Sequence, residues 1–160
     1  ETLEYLKHET EVWFEITTLL IPGMNDGHEE LEAQTRWISK HLGTEVPLHF
    51  TAFHPDWKMR DVPQTPLETL NQARQIALGN GLRYVYVGNV HDKSGSSTYC
   101  HHCGQLLIGR DWYVLSDWNL TESGTCRFCG TACSGVFKGP PGDWGSRRLP
   151  IRLRKGNLVG

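Results

Sequence analysis

The chain has 160 residues, 38% of them hydrophobic, enough for one domain or for one domain with a small appendage. A formal net charge of −2 supplies no overall drive toward nucleic acid, and no apolar run reaches the length of a membrane span. Charge is unevenly placed: residues 1–45 hold ten acids and three bases, whereas residues 138–155 hold six bases and one acid.

In chain order, residues 1–8 read as a helix. The sequence thus opens at Glu1, inside an element, and is expected to be a piece of a longer protein. Residues 12–21 are a long apolar, β-branched run ended by Pro22-Gly23, which reads as a strand. Residues 28–42 carry Leu31, Trp37, Ile38 and Leu42 near helical spacing, with acids in the first turn and Gly43 as a stop. Asn25 or Asp26 is placed to cap that helix. Residues 48–53 read as a second strand. Thr65-Pro66-Leu67-Glu68 then opens a helix with proline at its first position and Glu68 set for a capping box. After Gly79-Asn80-Gly81 comes a third strand, Tyr84-Val85-Tyr86-Val87.

This alternation predicts an α/β class, with right-handed βαβ units and three parallel strands. Three such strands do not finish an architecture, because parallel sheets are covered on both faces. Residues 1–92 are therefore expected to be the C-terminal part of a larger β/α barrel. The exposed sheet edge would pair with a missing N-terminal half or with another copy.

Lys93-Ser94-Gly95-Ser96-Ser97-Thr98 reads as a flexible linker. A small β module of zinc-ribbon or rubredoxin type is expected over residues 99–137. It is marked by Cys100-His101-His102-Cys103-Gly104 and Cys126-Arg127-Phe128-Cys129-Gly130. A two-residue gap lets both thiolates of a pair face one ion, and the glycine supplies a positive-φ turn. Four thiolates fill a tetrahedral site and leave no position open for chemistry. The stretch between reads as one hairpin, with strand 106–108, a turn at Gly109-Arg110-Asp111 and strand 112–115.

Structural Zn²⁺ is the expected occupant, although a mononuclear four-sulfur iron site shares the ligand geometry. Disulfides fit less well, since the cysteine count of five is odd and the spacing suits a metal. Cys133 reads as a bystander: with Cys126 and Cys129 it inverts the C-x3-C-x2-C order of a radical SAM cluster loop. The cysteine usage suits a reducing, cytoplasmic setting. The tail, residues 138–160, carries Arg147, Arg148, Arg152, Arg154 and Lys155, and is irregular or forms an edge strand over 149–153. It supports a competing reading, a zinc-ribbon binding module that holds nucleic acid or an acidic partner through this tail and Trp144.

Ligand sites in α/β sheets collect at the carboxyl ends of the strands. Asn25 and Asp26 follow the first strand, His54 and Lys58 the second, and Asn89, His91 and Asp92 the third. His54 and Lys58 suit the carboxylate, ribose or phosphate-like groups of a polar ligand. Glu15 and His49 lie within strands, placed to face a barrel lumen. Hydrolase, P-loop and dinucleotide fingerprints are absent.

The runs Phe14-Glu15-Ile16-Thr17-Thr18-Leu19-Leu20-Ile21-Pro22-Gly23-Met24-Asn25-Asp26, Pro47-Leu48-His49-Phe50-Thr51-Ala52-Phe53-His54-Pro55-Asp56-Trp57-Lys58 and Tyr84-Val85-Tyr86-Val87-Gly88-Asn89-Val90 carry a resemblance. They are similar to the later barrel of radical SAM enzymes of the pyruvate formate-lyase activating enzyme-like group. With the paired knuckles, the chain specifically resembles the AmmeMemoRadiSam-system radical SAM enzymes. The resemblance implies a [4Fe–4S] cluster that cleaves S-adenosylmethionine to a 5′-deoxyadenosyl radical, acting on an acceptor protein or a small molecule. It implies that His54 approaches the adenosylmethionine, with Lys58, Asn25 and Asp26 on the cofactor side. No C-x3-C-x2-C loop occurs in this chain, so the cluster is expected in the absent N-terminal portion and the chain alone is expected to be inactive. Removing zinc is expected to unfold residues 99–137 and leave the β/α part largely intact.

Overall fold

The structure is a computed structural model that describes residues 1–137, 141–142 and 145–148. The elements run α1 (Thr2–Glu9), β1 (Ile16–Leu20), α2 (His28–His41), β2 (Leu48–Ala52), α3 (Leu67–Gly79), β3 (Val85–Gly88), α4 (Lys93–Ser96), β4 (Thr98–Tyr99), β5 (Leu106–Asp111) and β6 (Val114–Trp118). No helix among the described residues is long and apolar enough to cross a membrane.

The first three strands form the expected parallel sheet in the order β1-β2-β3, with Ile16 beside Leu48 and Leu48 beside Val85. Alternation sorts their side chains. Leu20, Leu48, Phe50, Ala52, Val85 and Val87 are buried in the main core with Leu31 and Ile38 of α2 and Leu70, Ala73 and Ala77 of α3. Two alanines on α3 let that helix lie close to the strands. The alternate residues Thr17, Leu19, His49, Thr51 and Tyr86 face the other way, where no βα helix lies, and Leu19 is 43% exposed. Helices thus cover one sheet face only.

A second sheet, antiparallel β4-β5-β6, carries the cysteine module. Its core of Leu107, Ile108, Leu120, Cys100, Cys126 and Cys133 also contains Tyr84, at the start of the third strand. The module therefore packs on the sheet face that the helices leave free.

Four local expectations are corrected. The linker at 93–98 is instead the helical turn α4, capped by Asp92 Oδ1, which accepts from Ser94 N and Gly95 N; Gly95, Ser97 and Thr98 are buried. A Cβ at Gly95 would strike Val87 Cγ2, so a glycine chosen by composition as flexible is there for close packing. The hairpin turns at Trp112-Tyr113, with Trp112 at φ +54, rather than at Gly109-Arg110-Asp111. Gly109 instead lies in β5, where the register shifts and a Cβ would meet Ser116 and Asp117. Neither Asn25 nor Asp26 caps α2; Gly27 holds that position. Pro66 is the residue before α3 and not its first residue, and no side chain caps that helix. The edge strand expected over 149–153 lies outside the described residues, as do Trp144, Arg152, Arg154 and Lys155.

Candidate metal centre

The two cysteine pairs fold as copies of one knuckle. Cys100 N donates to Gln105 O, and Cys126 N donates to Thr131 O, each at 2.8 Å. Gly104 N donates to Cys100 O and Gly130 N to Cys126 O, each at 2.9 Å. Gly104 sits at φ +71 and Gly130 at φ +76, so both glycines supply the left-handed turn that a side chain resists. The hairpin β5–β6 and the bridge between Leu120 and Cys126 bring the second knuckle against the first.

The four sulfurs all lie within 4.8 Å of one another. Cys100 Sγ is 3.6 Å from Cys129 Sγ, and Cys103 Sγ is 3.8 Å from Cys126 Sγ. Sulfurs held about 2.3 Å from one tetrahedral ion lie about 3.8 Å apart, so the spacing fits a single four-sulfur metal ion such as zinc. A larger iron–sulfur cube would force the sulfurs farther apart. All five cysteines are free thiols, which excludes the disulfide alternative in this structure. Cys129 is exposed, and the Thr131 hydroxyl, 3.3 Å away, acts with the Thr131 backbone to draw its thiol down to about 5. Cys133 stands outside the quartet, with its sulfur 3.8 Å from Ser134 O, and burial pushes its thiol up. Four thiolates would fill the coordination sphere of one tetrahedral ion and leave no open position for a substrate.

The residues expected at the strand ends are placed differently from one another. Asn25 Oδ1 accepts from Ile21 N at 2.7 Å, and its Nδ2 donates to Leu19 O at 2.9 Å. Asp26 Oδ1 accepts from Gly23 N at 2.8 Å. Both brace the loop after β1. His54 is exposed and makes no hydrogen bond or ion pair among the described residues, and Lys58 Nζ lies 4.5 Å from the centroid of the exposed Trp57 ring. No hydrogen bond or ion pair joins these four residues. Two non-glycine residues in the left-handed region, Trp57 at φ +46 and Asn89 at φ +60, mark the same edge of the sheet.

The tip of the β5–β6 hairpin reaches that edge. Asp111 Oδ2 is 2.7 Å from Lys93 Nζ, and Asp111 Oδ1 is 3.4 Å from His91 Nε2. Trp112 Nε1 donates to His91 Nδ1 at 3.0 Å. The Lys93 ammonium holds the Asp111 carboxyl below the usual carboxylate range.

On the helix-free face, Glu15 Oε2 lies 2.7 Å from His49 Nε2, and His49 stacks on Tyr86 at 4.9 Å between centroids. His49 faces away from the helices, as strand alternation implies; Glu15, expected within the first strand, lies just before β1 and meets His49 on that face. Tyr86 and Arg110 join them through contacts that the sequence pattern did not single out. The alternation of Tyr84 and Tyr86 was the available signal.

No family model matches the chain, and no solved structure matches it. A protein of Methanocaldococcus jannaschii, described as uncharacterized, is 46% identical over 120 residues. That alignment covers 74% of this chain and 36% of the relative. The chain thus spans little more than a third of the relative it matches.

Proposed function

We propose that this chain is the C-terminal β/α portion of a radical SAM enzyme of the activating-enzyme-like group, with structural zinc in its four-cysteine centre. The observation that carries the reading is the one-sided sheet. Three parallel strands bear helices on one face only; on the other face the cysteine module covers the β3 side at Tyr84 and Tyr86, while Thr17 and Leu19 on the β1 side stay exposed. A free-standing parallel sheet buries both faces, whereas a barrel segment keeps its helices outside and turns the opposite face to the lumen. The motif resemblance in all three strands supports the same assignment. The archaeal relative is also long enough to hold further barrel units beyond the matched part.

In this reading the full-length protein supplies the [4Fe–4S] cluster and S-adenosylmethionine, in the cytoplasm, to an acceptor protein or small-molecule substrate. His54 and Lys58, exposed beyond β2, remain free to approach the adenosylmethionine, while Asn25 shapes the neighbouring loop rather than contacting it. No residue set among the described residues fits the cluster, since the four close cysteines suit one ion.

The test is anaerobic reconstitution with iron and sulfide, followed by dithionite and S-adenosylmethionine, on this chain and on the full-length gene product. The full-length protein is expected to release 5′-deoxyadenosine, and the chain alone none. A full-length product that binds no cluster would overturn the proposal.

A further inference from the structure

We infer that the cleft between the helix-free sheet face and the cysteine module binds a small carboxylate with a planar apolar body. The cleft has a volume of about 290 Å³, and Trp13, Tyr86 and Phe137 supply its ring surfaces. Arg110, on β5, lines it and is half-buried. Its guanidinium carbon is 5.5 Å from the Tyr86 centroid, and Nη1 donates to Thr98 Oγ1 at 2.6 Å and to Ser96 O at 3.4 Å. Those contacts fix the plane of the group and leave Nε and Nη2 without a partner among the described residues.

No carboxylate among the described residues neutralises Arg110. Glu15, in the same cleft, is engaged by His49 Nε2 at 2.7 Å and by Trp13 Nε1, which donates at 3.2 Å. Asp111, next in the chain, is engaged by Lys93. A guanidinium keeps its charge and presents a fork of donors that matches a carboxylate. Held rigid, half out of water and lacking a counter-ion among the described residues, it gains most from an anion that arrives with ring surface to lay against Trp13 or Tyr86. Its single positive charge balances one negative charge. Glu15 opposes a second, which favours a carboxylate over a phosphate dianion. The site needs no cluster, so its test is independent of the radical-enzyme reading, although it lies on the sheet face that this reading turns to the lumen.

The test is calorimetric titration of the zinc-loaded chain with benzoate, acetate and phenyl phosphate, alongside tryptophan fluorescence. Benzoate should saturate one site, acetate should bind more weakly, and phenyl phosphate should bind no tighter than benzoate. Arg110→Met should weaken benzoate about 10- to 100-fold, while Arg36→Met, at an exposed pair on α2, should not change it. Arg110→Lys keeps the charge, removes the fork and should also weaken binding, so it carries the test if Arg110→Met fails to fold. Benzoate that does not saturate, or that binds the Arg110→Lys variant as tightly as the parent, would overturn the site. Tighter binding of phenyl phosphate would overturn the carboxylate assignment.

Discussion

The Thr65 hydroxyl joins the carboxyl ends of β1 and β2: it donates to Leu20 O at 2.6 Å and accepts from Phe53 N at 2.8 Å. The residue is 2% exposed, so neither backbone group has water as an alternative partner. Thr65→Val keeps the shape and strands both groups, and should cost about 1–3 kcal/mol, read as a lower urea midpoint at unchanged slope. A variant as stable as the parent would contradict this. Thr65 also marks what the sequence conceals. Its place before Pro66 suggests a helix cap, yet its partner Leu20 lies 45 residues away, and no local pattern announces such a bond. Asn25 is the same case: a cap by position, a loop brace in the fold. Gly104 and Gly130 were legible because a positive φ beside a knuckle is a local demand.

At the scale of elements, periodicity located α2, α3 and the parallel strands because each turns an apolar stripe to the core. It misplaced the hairpin turn, since a glycine in a strand and a glycine in a turn look alike in sequence. Helix α1 is held differently from the rest. It has no buried residue and docks through Glu4 Oε1 to His41 Nδ1 at 3.1 Å and Lys7 Nζ to Glu45 Oε1 at 2.9 Å. Lys7 holds the Glu45 carboxyl below its ordinary value of 4.5. Because the folded value is depressed, the contribution of this pair is complete above that ordinary value and is lost as pH falls through the lower folded value. Amide protection in α1, corrected for intrinsic exchange, should therefore fall on acidification below about pH 4.5 while that of α3 holds. An equal loss of protection in both helices would contradict this.

For the whole molecule, the module is less separate than its cysteine spacing suggests. The division at 93–98 looked like a linker because Ser and Gly dominate it, yet packing of α4 between β3 and β5 and the burial of Tyr84 bind the module to the sheet. Burial pushes the Tyr84 hydroxyl up to about 12, and it accepts from Ser134 N at 3.0 Å. Chelation should loosen the module, return this tyrosine toward its ordinary value of 10.0 in an ultraviolet titration, and leave the α2–α3 core folded. A tyrosine titration unchanged by chelation would show that the metal does not hold this contact.

Cobalt substitution reads the geometry of the four-cysteine centre most directly. The purified chain should bind one Co²⁺ with the absorption of a tetrahedral four-sulfur site. The spectrum should be insensitive to added azide or cyanide, unaltered in Cys133→Ser and lost in Cys126→Ser. A spectrum that shifts with azide would reveal an open coordination position, and retention of cobalt by Cys126→Ser would show that the ligand set is wrong.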